Sequence, residues 1–202
     1  MALAFKYWER AWAMTVSYFY FGPYVSITCR RDQEEERLIL APIRTILDIF
    51  VKNCQQCYNN SEFTTTDEML HPFRGHCSFI QYMLNKPAKY GVKIFALCDA
   101  KTFYCSNLEI YCGKQPPGPY DARKTPTDIV KRLVSPIENS NKNVTTDNWY
   151  TNIPLLHYLL EKKTTLLGTM KKNKREIPPE FLPFVSSTAR NRLSVQIVLM
   201  WT

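Results

Sequence analysis

Several features are missing from this 202-residue sequence, and each absence narrows what it can be. No run reaches the roughly 20 apolar residues that a membrane-spanning helix needs. The stretch 11–28 is uncharged and follows Lys6 and Arg10. Gly22-Pro23 interrupts it, however, and Thr, Ser, Tyr and Phe dilute it, so no membrane segment is expected. An even set of cysteines is also missing. The seven are Cys29, Cys54, Cys57, Cys77, Cys98, Cys105 and Cys112, an odd number, and several lie inside apolar runs such as Phe95-Ala96-Leu97-Cys98. They read as small core hydrophobes in a reducing compartment, not as a disulfide framework. Cys54-x-x-Cys57 has no second cysteine pair at zinc-finger spacing, and both thiols fall on an apolar helical stripe, so packing is the expectation there. The cluster His71, His76 and Cys77 is likewise not expected to hold metal. Internal repeats and low-complexity segments are absent.

What is present is a globular composition, 45% hydrophobic and 22% charged, with a net charge of +8. The charge is uneven. Residues 1–66 hold seven Lys/Arg and seven Asp/Glu, whereas residues 67–202 hold the other nineteen and eleven. All of the excess therefore lies in the second part, where it favours polyanionic partners or serves as a solvated surface.

The periodicities predict alternating elements. Ile43, Ile46, Leu47, Phe50, Cys54 and Cys57 recur at three- and four-residue steps after Pro42, which suits the first turn of a helix that Asn59-Asn60-Ser61 ends. Asp32 to Glu36 suits an earlier helix start. Phe63-Thr64-Thr65-Thr66 predicts a strand ending at Asp67, and His71 to Tyr90 a polar, Gly- and Pro-punctuated segment. Val92–Cys98 and Thr102–Tyr111 predict two more strands. Helices are expected over Thr127–Ile137 and Ile153–Lys163, and strands over Val144–Thr146, Thr164–Met170 and, weakly, around Leu193, Val195 and Ile197. Strands that first follow one another and then alternate with helices imply a mixed sheet flanked by helices, an α/β fold.

Asp67 and Asp147 both fall at predicted strand ends. There a side chain is held rigidly at the rim of a sheet, the geometry that a metal-dependent phosphoryl-transfer site needs for its carboxylates. Aspartates at strand ends are also ordinary turn and cap residues. Arg74, Lys86, Lys89 and Lys93, interleaved with Phe73, Tyr82 and Tyr90, form a candidate phosphate-contacting surface. The run Lys171, Lys172, Asn173, Lys174 and Arg175 is a second candidate DNA contact or a nuclear-localisation signal, with an exposed strand end as the alternative.

Six blocks occur in order: Thr66-Asp67-Glu68-Met69-Leu70-His71-Pro72-Phe73-Arg74-Gly75, residues 85–94, residues 98–102, residues 111–114, Asn143-Val144-Thr145-Thr146-Asp147-Asn148-Trp149-Tyr150-Thr151, and residues 167–178. Together they resemble the piggyBac transposase family and its domesticated derivatives over about residues 38–183. The resemblance implies an RNase H-like core with an Asp-Asp-Asp metal site for Mg²⁺. It also implies cleavage at transposon ends by water, attack by a 3′-hydroxyl, hairpin opening and insertion at TTAA. By position, Asp67 matches the first catalytic and metal-binding aspartate and Asp147 the second, with Asn148 in support.

The sequence departs from that pattern in several places. No aspartate follows Asp147, and the acids beyond it are Glu161, Glu176 and Glu180. Met69 replaces a usual glutamine, and Met83-Leu84 a usual Ile-Pro. The family's insertion and Cys-rich zinc-binding segments are not found. The expected organisation is an N-terminal aromatic and helical segment (1–60), an incomplete RNase H-like core (61–183) and a divergent tail (184–202). The expected function is a transposase-derived nuclear protein without strand-transfer activity, with weak, salt-sensitive affinity for DNA and no membrane association. The alternative is a protein-interaction module or a remnant with no DNA function. Homodimerisation is not readable from the sequence.

Overall fold

The computed structural model describes residues 40–75, 77–113, 125–171 and 194–198. The expected helix start at Asp32 to Glu36 lies outside them. The described elements are α1 (Ala41–Cys57), β1 (Phe63–Pro72), β2 (Gln81–Tyr82), β3 (Tyr90–Asp99), β4 (Cys105–Ile110), α2 (Pro126–Val134), a 3-10 turn (Ser135–Ile137), β5 (Asn143–Thr146), α3 (Ile153–Glu161), β6 (Thr165–Lys171) and β7 (Ser194–Val198). The seven strands form one mixed sheet in the order β2-β3-β1-β5-β6-β7, with β4 also pairing β3. β1, β5 and β6 are parallel neighbours, while β2 against β3 and β7 against β6 are antiparallel. The expected mixed α/β sheet is therefore the observed one.

Internal contacts divide the chain into two compact units. Among the described residues, one comprises 40–59, 68–75, 77–96 and 102–113; the other comprises 60–67, 97–101, 125–171 and 194–198. In the first unit α1 packs with β4. The Tyr104 hydroxyl donates to the Cys54 carbonyl at 3.1 Å, satisfying one of the last-turn carbonyls that a helix leaves unbonded. Burial holds the Tyr104 hydroxyl up at about 12, and nearby thiols add to the shift. The Cys54 thiol is raised mainly by burial, against a hydrogen bond with Tyr104 that lowers it. Cys57, expected to pack on the same stripe, is exposed. It lies in the last helical turn, where the apolar face has run past its cover.

In the second unit each helix has a legible start. Thr125 caps α2 by accepting from the Asp128 amide at 3.2 Å, and its hydroxyl donates to the Asp128 carboxylate at 2.6 Å. Pro126 begins the first turn, and Ile129, Val130, Leu133 and Val134 are buried. Asn152 caps α3 at the Leu155 amide (2.8 Å) and reaches Thr127 with its own amide (2.8 Å), tying the two helix starts together. α3 buries Leu155, Leu156 and Leu159 and packs on β6. β5, α3 and β6 make a parallel crossover in which the helix must cover the sheet.

A polar brace closes this unit's rim. The Tyr158 hydroxyl donates to Glu138 at 2.6 Å, and Lys162 sits 3.2 Å from the same carboxylate. The hydrogen bond from Tyr158 holds Glu138 below the usual carboxylate range, with Lys162 adding to it, and the same bond pushes Tyr158 up to about 12. A depressed carboxyl stabilises the fold above its unfolded value and loses that contribution as pH falls through the folded one. A raised phenol stabilises below its unfolded value and loses that contribution as pH rises from 10 to about 12. Tyr158→Phe is therefore expected to cost about 1 kcal/mol or less near pH 7. In denaturant melts the gap from the unmodified protein should narrow at both pH extremes, and a gap constant with pH would refute this.

Three expectations change. β1 does not end at Asp67; it continues to Pro72. Only its pairing with β5 stops there, because β3 on its other edge keeps the backbone extended. The segment from His71 to Tyr90, expected as irregular, contains the short strand β2, which two cross-strand tyrosines hold in register. The strand expected over Thr102–Tyr111 is β4, which begins at Cys105, after a turn with Phe103 in the left-handed region at φ 63°.

Candidate active site

Parallel pairing aligns the two aspartates. β1 and β5 run in register from Phe63 beside Asn143 to Thr66 beside Thr146. The next residues along the two strands are Asp67 and Asp147. Neighbouring strands lie about 4.8 Å apart, so the two carboxylates leave the sheet from adjacent points. Burial alternates in step: Thr64, Thr66, Val144 and Thr146 are buried, and Asp67 and Asp147 are exposed. The pair stands where β1 and β5 part, beside the carboxyl end of β6. In open α/β sheets that edge is where ligands bind.

The backbone around Asp147 is fixed by its own turn. Its carbonyl accepts from the amides of Tyr150 and Thr151, both at 3.1 Å, and from the Thr151 hydroxyl at 2.9 Å. Thr151 also bonds the Thr146 hydroxyl at 2.8 Å. Tyr150 is fully buried with Trp149 edge-on to it, 4.7 Å between centroids, which anchors the turn's far side. Asn148, inside the turn, is half-buried. Gly168 makes this possible. On β6 it pairs with Thr146 of β5, and a Cβ there would lie 2.3 Å from the Thr151 hydroxyl oxygen and 3.0 Å from that of Thr146. Sequence reading passed over Thr146, Thr151 and Gly168 as site residues. The available signal was the lone glycine inside a strand, which marks a close approach.

Asp99, a third aspartate at a strand end, does other work. It is fully buried and accepts from the amides of Ser61 and of Lys101, the latter at 2.7 Å. Its carboxylate ties the entry of β1 to the turn after β3. Among the described residues no cluster of three or more His, Cys, Asp or Glu is arranged to hold a metal. The donor set at the rim is thus two hard carboxylates, which suits one Mg²⁺ whose remaining positions are filled by water or phosphate.

The candidate DNA-contacting cations separate in the structure. Arg74 and Lys89 are exposed. Lys86 lies 3.6 Å from the Glu68 carboxylate and donates to the Glu68 carbonyl at 2.9 Å. Lys93 is half-buried, 5.0 Å from the Phe95 ring centre and 6.0 Å from that of Tyr111. Lys171 ends β6, and Lys172, Lys174 and Arg175 fall outside the described residues.

A helix-flanked mixed sheet with parallel central strands, and two aspartates side by side where β1 and β5 part, is the fold that the comparisons with known proteins match. The protein-family model described as Transposase IS4 matches residues 23–198, a span that takes in β7. The structure is similar to that of the piggyBac transposase synaptic complex with hairpin DNA, solved by cryo-EM: TM-score 0.67, 38% sequence identity, 81% of this chain covered. The chain belongs to the Transposase IS4 family and is a piggyBac-type member of it. It spans 33% of that piggyBac chain's length. Among the described residues no helix is long and apolar enough to cross a membrane.

Proposed function

We propose that this chain is a DNA-binding transposase core that holds a divalent cation between Asp67 and Asp147 and, by itself, does not complete strand transfer. The register of β1 and β5, which ends one residue short of both aspartates, carries this reading. Bound Mg²⁺ would polarise a phosphodiester and activate water. Asp67 and Asp147 would supply its fixed oxygen ligands, and the turn held by Thr151 keeps the Asp147 backbone in place. Two carboxylates anchor one ion with open positions. A pair of ions clamping both the attacking and the leaving oxygen needs more fixed ligands than these.

Nucleic acid as the partner is supported by the net charge of +8, all of it in residues 67–202, and by the hairpin DNA in the synaptic complex of the related transposase. The basic run 171–175 supports a nuclear location.

Calorimetric titration with Mn²⁺ tests the site. Asp67→Asn and Asp147→Asn should each weaken binding by about tenfold or more, and unchanged affinity in both variants rules the site out. Incubation with transposon-end DNA and Mg²⁺ or Mn²⁺ should give no specific nicking by this chain. Nicking that Asp67→Asn abolishes would show that the two carboxylates suffice. In gel shifts, duplex binding should fall steeply with salt; absence of binding at moderate salt favours a protein-interaction module instead.

A further inference from the structure

The hairpin formed by β2 and β3 carries two tyrosines that the metal site does not use. Tyr82 and Tyr90 are direct cross-strand partners with ring centres 4.8 Å apart, and both are more than half exposed, at 55% and 61%. Exposed aromatic pairs can be left over from a missing neighbour, but this one sits on a preformed support. The Met83 amide donates to the Lys89 carbonyl at 2.7 Å, and further backbone bonds run from Lys86 to Met83 (3.1 Å), Lys89 to Lys86 (3.1 Å) and Tyr90 to Ala88 (2.6 Å). Lys86 braces the connection against Glu68. Gly91 lies so close to the His71 carbonyl that a Cβ would fall 2.0 Å from its oxygen, which presses β3 against β1 at the hairpin's base.

Along the chain the hairpin segment carries charge of one sign, and Glu68 of β1 meets it at Lys86. Between Met69 and Cys98 there is no Asp or Glu, while Arg74, Lys86, Lys89 and Lys93 all fall in that span. Lys89 is exposed in the connection, and Arg74 is exposed after β1. Lys89 holds a left-handed φ of 54°, part of the same fixed turn.

The geometry points to this hairpin as a stacking platform for unpaired nucleotides: bases rest on the exposed faces of Tyr82 and Tyr90, while Lys89 and Arg74 neutralise the backbone. Aromatic faces with flanking cations suit single strands, because a base stacks on a ring only when its own face is free. Duplex DNA offers phosphates to the lysines and no base face to the rings. The inference deepens the proposed DNA reading by naming the strand form, and rests on it for the polymer.

Fluorescence anisotropy on the 202-residue protein separates the two claims, with a labelled oligothymidylate and a labelled duplex of equal length as probes. Tyr82→Ala and Tyr90→Ala should each weaken single-strand binding by at least about fivefold and leave duplex binding unchanged. Tyr82→Phe and Tyr90→Phe should bind as the unmodified protein does, since the ring and not the hydroxyl stacks. Phe103→Ala, at another exposed ring, should change neither affinity. If the alanine variants bind the single strand normally while salt-sensitive binding persists, the platform is wrong and the DNA reading stands. Equal losses on both probes also overturn it. No binding of either probe overturns both.

Discussion

Replacing Gly168 with alanine should loosen Mn²⁺ at the proposed Asp67–Asp147 site by about tenfold without touching either carboxylate. The new methyl would lie 2.3 Å from the Thr151 hydroxyl oxygen and 2.9 Å from its methyl. Thr151 has to move, and in moving it gives up its 2.8 Å bond to Thr146 and its 2.9 Å bond to the Asp147 carbonyl. Groups that orient a metal ligand from behind typically change affinity by about ten- to a hundredfold when removed. Stability should fall as well, by about 1–3 kcal/mol, from overpacking and the lost buried hydrogen bonds. Thr151→Val, which removes the hydroxyl and keeps the shape, should reproduce part of the affinity loss. The double variant should lose little more than Gly168→Ala alone, since both act through one contact. Additive losses in calorimetric titrations would mean that Gly168 acts by another route.

The second large effect is on folding. Gly91→Ala should destabilise the protein by on the order of 3 kcal/mol, because the added methyl would meet backbone: the His71 carbonyl oxygen at 2.0 Å and its carbon at 2.8 Å. A side chain could swing aside, but a paired strand cannot without breaking its ladder. Gly75→Ala is the matched control. Its methyl would meet only the far edge of the half-buried Phe73 ring, a side chain that can swing aside, and Gly75 itself is exposed, so a change within about 0.5 kcal/mol is expected. Urea melts of both variants decide the matter, and similar midpoints would refute the close approach at Gly91. Hydrogen exchange should show the Gly91→Ala loss concentrated in the β2–β3 hairpin and the adjoining end of β1.

Both glycines show where reading the sequence stops. The element order was legible because local signals agreed: Pro126 and Thr125 begin α2, Asn152 begins α3, and β-branched runs mark β1, β5 and β6. The aspartates were legible because Asp67 follows one such run and Asp147 another. That β1 continues past Asp67 was not, because an extended backbone there depends on β3, a partner more than twenty residues away. The exposed position of Cys57 was not legible either; helical periodicity gives a stripe's direction but not the length that a neighbour covers. The separation of Lys86 and Lys93 from Lys89 and Arg74 required knowing that Glu68 and the Phe95 ring lie beside the first two.

The sequence by itself therefore determined the alternation of helix and strand, the basic second part of the chain and the two carboxylates, each a property of residues close together along the chain. Only the tertiary structure decided that those carboxylates are neighbours. A parallel register joins residues eighty positions apart through hydrogen bonds that no local pattern encodes, and the room for Thr151 behind Asp147 exists because a third strand places a glycine there.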